Sequence, residues 1–260
     1  MMLTEFLDTR FPNDYGKNEK AVVILSGGLD STILLAIASQ YYDVTALTFN
    51  YNQKQAAEID FARWHTEKRG IEHKVLNISF LGDIARGVST NIAGSEIAMP
   101  TIRDVLGNPQ PPTYVPFRNM ILNSIGFSFA ESVGAKYIMT GLQTTDQYGY
   151  WDTSARFVDK MNSVAEENRL HKIKMLAPFS GLDKATEILL SVQLPLEARV
   201  NFAKTLTCYN PNEKAEACGE CPSCAERIAA FGKVGLEDPA AYSKVIPWDK
   251  IIQHYNTTKV

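Results

Sequence analysis

The sequence has little that would suit a membrane, a nucleic acid or the commonest hydrolase chemistries. No apolar run approaches the ~20 residues of a bilayer span. Lys and Arg number 26 against 29 Asp and Glu, a formal net charge of −3, so a basic footprint for a polynucleotide is missing. A small-molecule substrate fits that balance better. His65, His73, His171 and His254 share no metal-ligand spacing and read as structural or solvated. H-E-x-x-H, G-x-S-x-G and a paired-carboxylate glycosidase pattern are absent, as are a Walker A loop and G-x-G-x-x-G. Met1 to Lys20 carries acids and lacks an apolar signal core. It is expected to be a polar lead-in arm (1–20), with the cytoplasm as the compartment. Cysteine is confined to four residues between Cys208 and Cys224, a clustering that argues for metal rather than disulfides.

What is present centres on Ala21-Val22-Val23-Ile24-Leu25-Ser26-Gly27-Gly28-Leu29-Asp30-Ser31-Thr32. Five apolar residues, rich in β-branched types, suit a strand covered on both faces. Ser26-Gly27-Gly28 allows a tight turn and a close backbone approach to a ligand. The run after Ser31 and Thr32 has helical length and composition. The free N–H groups at such a helix start make an anion site, to which Ser26, Ser31 and Thr32 add hydroxyls. A phosphate or pyrophosphate is the expected guest.

The chain then alternates. Asp43–Asn50 reads as a strand, Gln55–Arg69 as a helix stopped by Gly70, and 75–78 as a strand. This β-α-β-α-β order predicts a doubly wound parallel sheet with ligands beyond the carboxyl ends of its strands. Leu81–Thr113, with four Pro and four Gly residues, reads as irregular and as a lid, a substrate loop or a surface insertion. A helix from about Arg118 to Val133, a strand over 136–141, a helix over 154–170 and a short strand over 173–176 follow, and Asp183 caps a helix containing Lys184. Arg118 at a helix start opposes the macrodipole, which leaves it free to pair with a carboxylate or phosphate. The loop Leu142–Thr153 mixes Asp146, Tyr148, Tyr150, Trp151 and Asp152, a set suited to a flat heterocycle.

Cys208, Cys218, Cys221 and Cys224 give C-x9-C-x2-C-x2-C. Two C-x2-C steps sharing Cys221 can wrap one ion, with Cys208 as the fourth sulfur. This is a closed structural Zn²⁺ site; a [4Fe–4S] cluster uses the same ligands.

The pattern S-G-G-x-D-S after a strand resembles the pyrophosphate loop of N-type ATP pyrophosphatases, whose fold is adenine nucleotide alpha hydrolase-like. With the terminal cysteines, and with Thr113-Tyr114-Val115-Pro116, Arg118-Asn119, Gly141, Asp146, Gly149-Tyr150, Asp152, Lys184, Thr207-Cys208-Tyr209 and 217–224, the chain resembles the QueC family of 7-cyano-7-deazaguanine synthases from about Val22 to Tyr242. The resemblance implies a ligase using ATP and Mg²⁺ on 7-carboxy-7-deazaguanine and ammonia, forming the amide and then the nitrile. It implies an ATP site of Leu25, Ser26, Gly27, Gly28, Leu29, Asp30, Ser31, Thr32 and Gly141, and catalytic roles for Asp30, Ser31, Arg118 and Lys184. It implies substrate contacts from Tyr114, Arg118, Asn119, Asp146, Tyr150 and Asp152. An ATP-pyrophosphatase domain over 21–200, a zinc-binding segment over 201–260, and a homodimer are expected.

The chain departs from that pattern in places. Thr153, Ser154 and Arg156 stand where the family usually has Cys, Arg and Glu; Leu206 replaces a usual Trp, and Asn50-Tyr51-Asn52-Gln53 replaces Asp-Tyr-Gly-Gln. A changed pocket wall motivates an alternative in which the adenylated deazaguanine passes to another amine, such as one on a protein partner, in antiphage defence or nucleic-acid modification. A tRNA-thiolating relative and a non-enzymatic nucleotide-binding module are the other classes; the acidic charge argues against the first and the intact Asp30 against the second.

Overall fold

The computed structural model describes residues 1–16, 18–108, 110–143 and 150–257. Five strands, β1 (Lys20–Ile24), β2 (Asp43–Asn50), β3 (Glu72–Asn77), β4 (Tyr137–Thr140) and β5 (Lys174–Leu176), form one sheet in the order β3-β2-β1-β4-β5. Every pairing is parallel. The expected doubly wound α/β sheet is what forms. Its order reverses at β1, where Ile24 lies between Leu47 of β2 and Thr140 of β4. Ligands of such sheets bind at the carboxyl ends beside that reversal.

The residues of β1 divide between two cores, as period-two geometry requires. Ala21, Val23 and Leu25 join one cluster with the helix α2 (Leu29–Ala38), which is buried almost throughout. Val22 joins the opposite cluster. That side holds α6 (Arg118–Val133) and α7 (Ala155–Ala165). On the first side α8 (Lys184–Val192) packs on α2 and on α9 (Pro222–Val234). Gly70 and Gly134 end α3 (Glu58–Arg69) and α6 in the left-handed conformation, and the Asp183 side chain accepts from the Thr186 N–H at 2.9 Å.

Two segments differ from the sequence reading. The N-terminal residues form α1 (Leu3–Arg10) rather than a polar arm, because Phe6, Leu7 and Phe11 are buried against Phe179 and Tyr42. Residues 81–113 contain α4 (Phe80–Ala85) and α5 (Ile102–Val105), and the stretch from Ser89 to Ile92 is buried. Its backbone is pinned by Thr90 N–H to Pro112 O at 2.8 Å and Lys54 N–H to Asn91 O at 2.9 Å. A last helix, α10 (Trp248–Thr257), lies on Gly232 of α9, where an added Cβ would sit 2.5 Å from Ile251. Among the described residues no helix is long and apolar enough to cross a membrane.

Candidate active site

The turn after β1 folds on itself through serine hydroxyls. Ser31 Oγ accepts from the Ser26 N–H at 3.1 Å and lies 3.0 Å from Ser26 Oγ, which accepts from the Gly28 N–H at 3.0 Å. Gly27 has φ +95°, and a Cβ there would stand 2.0 Å from the Glu58 carbonyl, so the turn lies directly on the start of α3. Gly141 similarly lets the end of β4 approach the Ser31 backbone. The N-terminus of α2 therefore opens into a cavity of about 240 Å³, bordered by Ser26, Gly28, Asp30 and Ser31 and continuing to Arg118 and Lys184. Leu29 and Thr32 are fully buried behind the turn and do not line it.

Charge is concentrated at one side of this cavity. The Lys184 Nζ donates to Asp30 Oδ2 at 2.8 Å, Asp30 Oδ1 at 3.0 Å and Gln143 Oε1 at 2.7 Å. Glu226 is 4.0 Å away. Burial works against the Lys184 charge, but Asp30, Glu226 and Glu187 more than offset it and hold its pKa above the ordinary lysine value. Glu187, fully buried on α8, receives the Gln143 side-chain N–H; burial and then the Asp30 charge raise its pKa well above the ordinary carboxylate value. Arg118 is opposed by burial and supported by Tyr51, Tyr209 and Asp152, with a net upward shift.

A second cavity of about 180 Å³ shares Asp30, Arg118, Lys184 and Glu226 with the first and extends to Thr113, Tyr150 and Thr153. Asn119 borders both, while Tyr114 and Asp152 line a small adjoining cavity of about 20 Å³ together with Arg118 and Tyr150. Tyr114 OH accepts from the Phe117 N–H and the Trp151 indole, each at 3.0 Å. Asp152 accepts from the Asn119 N–H at 3.2 Å, and burial raises its pKa. Tyr114 and Asp152 thus brace the start of α6, which carries Arg118. Asp146 lies outside the described residues.

The four thiols converge. Their sulfurs all lie within 4.8 Å of one another, with Cys218 to Cys224 at 3.9 Å and Cys208 to Cys221 at 4.0 Å. A tetrahedral ion with bonds of about 2.3 Å sets its sulfur ligands about 3.8 Å apart. The set fits one zinc ion; the body of an iron–sulfur cluster would hold the thiolates farther apart. N–H groups of Cys218 and Asn210 point at Cys208 Sγ (3.2 and 3.3 Å). The same segment is tied to the turn: Leu206 N–H donates to Gly27 O at 3.0 Å, and Leu29 N–H to Thr207 Oγ1 at 3.3 Å. Arg227, buried on α9, pairs with Asp238 at 2.6 Å and donates to Thr205 and Thr207.

With this geometry in view, comparison with known proteins is decisive. The sequence profile "Queuosine biosynthesis protein QueC" matches residues 20–235. The chain belongs to the QueC family. Among its QueC relatives, the 7-cyano-7-deazaguanine synthase of Psychromonas ingrahamii is 37% identical over 226 residues, 86% of this chain and 98% of that protein. Those of Caldicellulosiruptor bescii (36%; 88% and 100% covered) and Methanococcus aeolicus (37%; 86% and 99%) are similar to the same degree. Among solved structures, the U34-tRNA thiolase NcsA from Methanococcus maripaludis with its [4Fe–4S] cluster overlaps 98% of this chain and 78% of its own, at 16% identity and a TM-score of 0.49. That likeness is too remote to bear on function or metal.

Four polar residues that no sequence signal singled out border or support this QueC site: Gln55 and Glu58 at the start of α3, Glu187 on α8 and Glu226 on α9. Gln55 and Glu58 follow directly on the carboxyl end of β2, the one position from which they could have been suspected. Glu187 and Glu226 look like ordinary helix charges.

Proposed function

We propose that the protein is an ATP-dependent carbon–nitrogen ligase that converts 7-carboxy-7-deazaguanine to its amide and then to 7-cyano-7-deazaguanine. The relatives named above are synthases of that compound, and the cradle of Ser26, Gly28 and Ser31 facing Asp30, Lys184 and Arg118 is the observation that supports this chemistry here. A carboxylate is a poor electrophile until one oxygen becomes a leaving group. Its oxygen attacks the α-phosphorus of ATP and pyrophosphate leaves. Ammonia then adds to the acyl carbon, AMP departs and a proton is lost, giving the amide. The amide oxygen is adenylated by a second ATP; loss of AMP and the N–H protons leaves the nitrile.

In this reading the α2 N–H groups and the serine hydroxyls meet the charge gathering on pyrophosphate. Lys184 and Arg118 balance the negative charge of the two reactants where the cavities join. Asp30 already carries a cation, the Lys184 ammonium, and is the carboxylate that would hold Mg²⁺; Mg²⁺ supplies charge neutralisation on the phosphates when bound with ATP. The four cysteines would hold zinc, which supplies rigidity to residues 201–260 and no open position for chemistry.

A second reading retains the adenylation and changes the amine. Thr153 borders the second cavity at a position where the family usually carries Cys, and Ser154 and Arg156 follow it. Mass spectrometry of products from MgATP, ammonium and 7-carboxy-7-deazaguanine separates the two. Nitrile with AMP and pyrophosphate is expected. AMP without amide or nitrile would favour another amine, and no AMP would reject the substrate. Asp30→Asn should abolish AMP release while leaving the fold intact, at some cost in stability because Lys184 loses its carboxylate partner; undiminished turnover would remove Asp30 from the reaction.

A further inference from the structure

At the α3 end of the main cavity are two buried polar side chains that the reaction above does not use. Gln55 is 5% exposed, lines the cavity, and its Oε1 accepts no hydrogen bond. Glu58 is 7% exposed and lines the same space. Gln53 holds this corner rigid: its Oε1 accepts from the Tyr51 N–H at 2.9 Å, and its Nε2 donates to Phe49 O at 3.1 Å and Glu58 Oε1 at 3.4 Å. The Gln53 amide is thereby spent on both sides. An unmatched buried carbonyl oxygen costs about 1–3 kcal/mol, and a ligand that supplies a donor removes that cost. This oxygen is itself buried; exchanging the two ends of the Gln55 amide about its broad terminal torsion would present it to the cavity. What this corner lacks is an N–H donor, and the rings of Phe49 and Tyr51 border it, as a flat base would require.

We infer that Gln55 and Glu58 read the exocyclic amino group of a purine-type base, Gln55 accepting its N–H through Oε1 and the Glu58 carboxyl flanking the adjacent ring edge. The inference rests on the proposed function, in which both reactants carry such a group: the 6-amino group of adenine in ATP and the 2-amino group of the deazaguanine. Adenine is the expected occupant. The start of α3 lies against the phosphate turn at Gly27, whereas Tyr150 and Thr153 stand across the junction at Arg118. A nucleotide with its phosphates in that turn would then direct its base toward this corner of the same cavity.

Calorimetric titration of the full chain tests the assignment. MgATP is compared with purine riboside triphosphate, which lacks the 6-amino group, and 7-carboxy-7-deazaguanine with its analogue lacking the 2-amino group. The wild type should bind MgATP about tenfold or more tightly than the deaminated nucleotide, and Gln55→Leu should shrink that ratio to about twofold. A ratio that instead depends on the 2-amino group supports the amine reader and exchanges the two ends of the cavity. Ratios near one for both pairs in the wild type overturn the inference, as do ratios that Gln55→Leu and Glu58→Gln both leave unchanged. The wild-type comparison decides even where a variant fails to fold. Wild-type protein that binds neither reactant overturns the functional reading itself, a different result from binding without amine dependence.

Discussion

Glu58→Gln removes a titrating proton from the core while preserving shape. Burial raises the Glu58 pKa from the ordinary 4.5 to about 8, against the opposing effects of the Gln53 amide and Arg118. The folded protein therefore keeps a proton that the unfolded chain gives up across that interval. With the unfolded state binding fewer protons, stability is full below about pH 4.5 and falls as pH rises through 8. At about 1.4 kcal/mol per pH unit the whole interval corresponds to about 5 kcal/mol at most, of which about 2–3 kcal/mol falls between pH 6 and pH 9. Urea unfolding of both proteins at those two pH values measures it. The wild type should lose about 2–3 kcal/mol more than Glu58→Gln over that range, since Glu187 and every other group titrate in both and cancel. Parallel pH dependences for the two proteins would refute a neutral, buried Glu58.

Gly27→Ala forces a Cβ against the Glu58 carbonyl at a left-handed φ; a loss of about 2–4 kcal/mol in unfolding free energy is expected, with AMP formation falling as the turn shifts. Cys221→Ser should lower bound zinc, read by elemental analysis, and melting temperature together; normal zinc stoichiometry would remove the four-sulfur assignment. Asp238→Ala leaves the Arg227 guanidinium buried without its carboxylate, and urea unfolding should register a loss of about 3–5 kcal/mol.

The elements that sequence reasoning located are those with a local cause. The apolar run before Ser26, the glycine stops at Gly70 and Gly134, the Asp183 cap and the cysteine spacing each carry their reason within a few residues. The doubly wound parallel sheet followed from alternation alone. What escaped depends on distant partners. Scattered apolar residues in an N-terminal segment carrying acids do not announce that Phe6 is fully buried on Phe179. Strand β3 begins at Glu72 rather than at 75, because its ladder with β2 pairs Glu72 with Thr45 whatever the side chain. Helix α10 is polar on most of its surface and gains its footing from Gly232. The turn after β1, Arg118 and Lys184, each singled out by motif or position, border one cavity. Tyr114 and Asp152, expected against substrate, brace α6 and also line a small cavity beside Arg118 and Tyr150. Glu58 and Glu187 escaped because a carboxyl in a helix reads as solvated until the neighbours that bury it are known.

The four residues from Thr205 to Cys208 belong to two structures at once. Leu206 and Thr207 grip the turn at Gly27 and Leu29, and Cys208 is one of the four convergent thiols. Two ligands that act on one short segment are thermodynamically linked, and linkage is reciprocal. A phosphate that steadies the turn strengthens the hold of the thiols on their ion by the same factor by which that ion strengthens the hold on phosphate. Under the proposed function the cysteine knuckle is then more than ballast: the equilibrium affinity of the four thiols for zinc, read by competition with a chelator, becomes a gauge of what occupies the cavity at the turn.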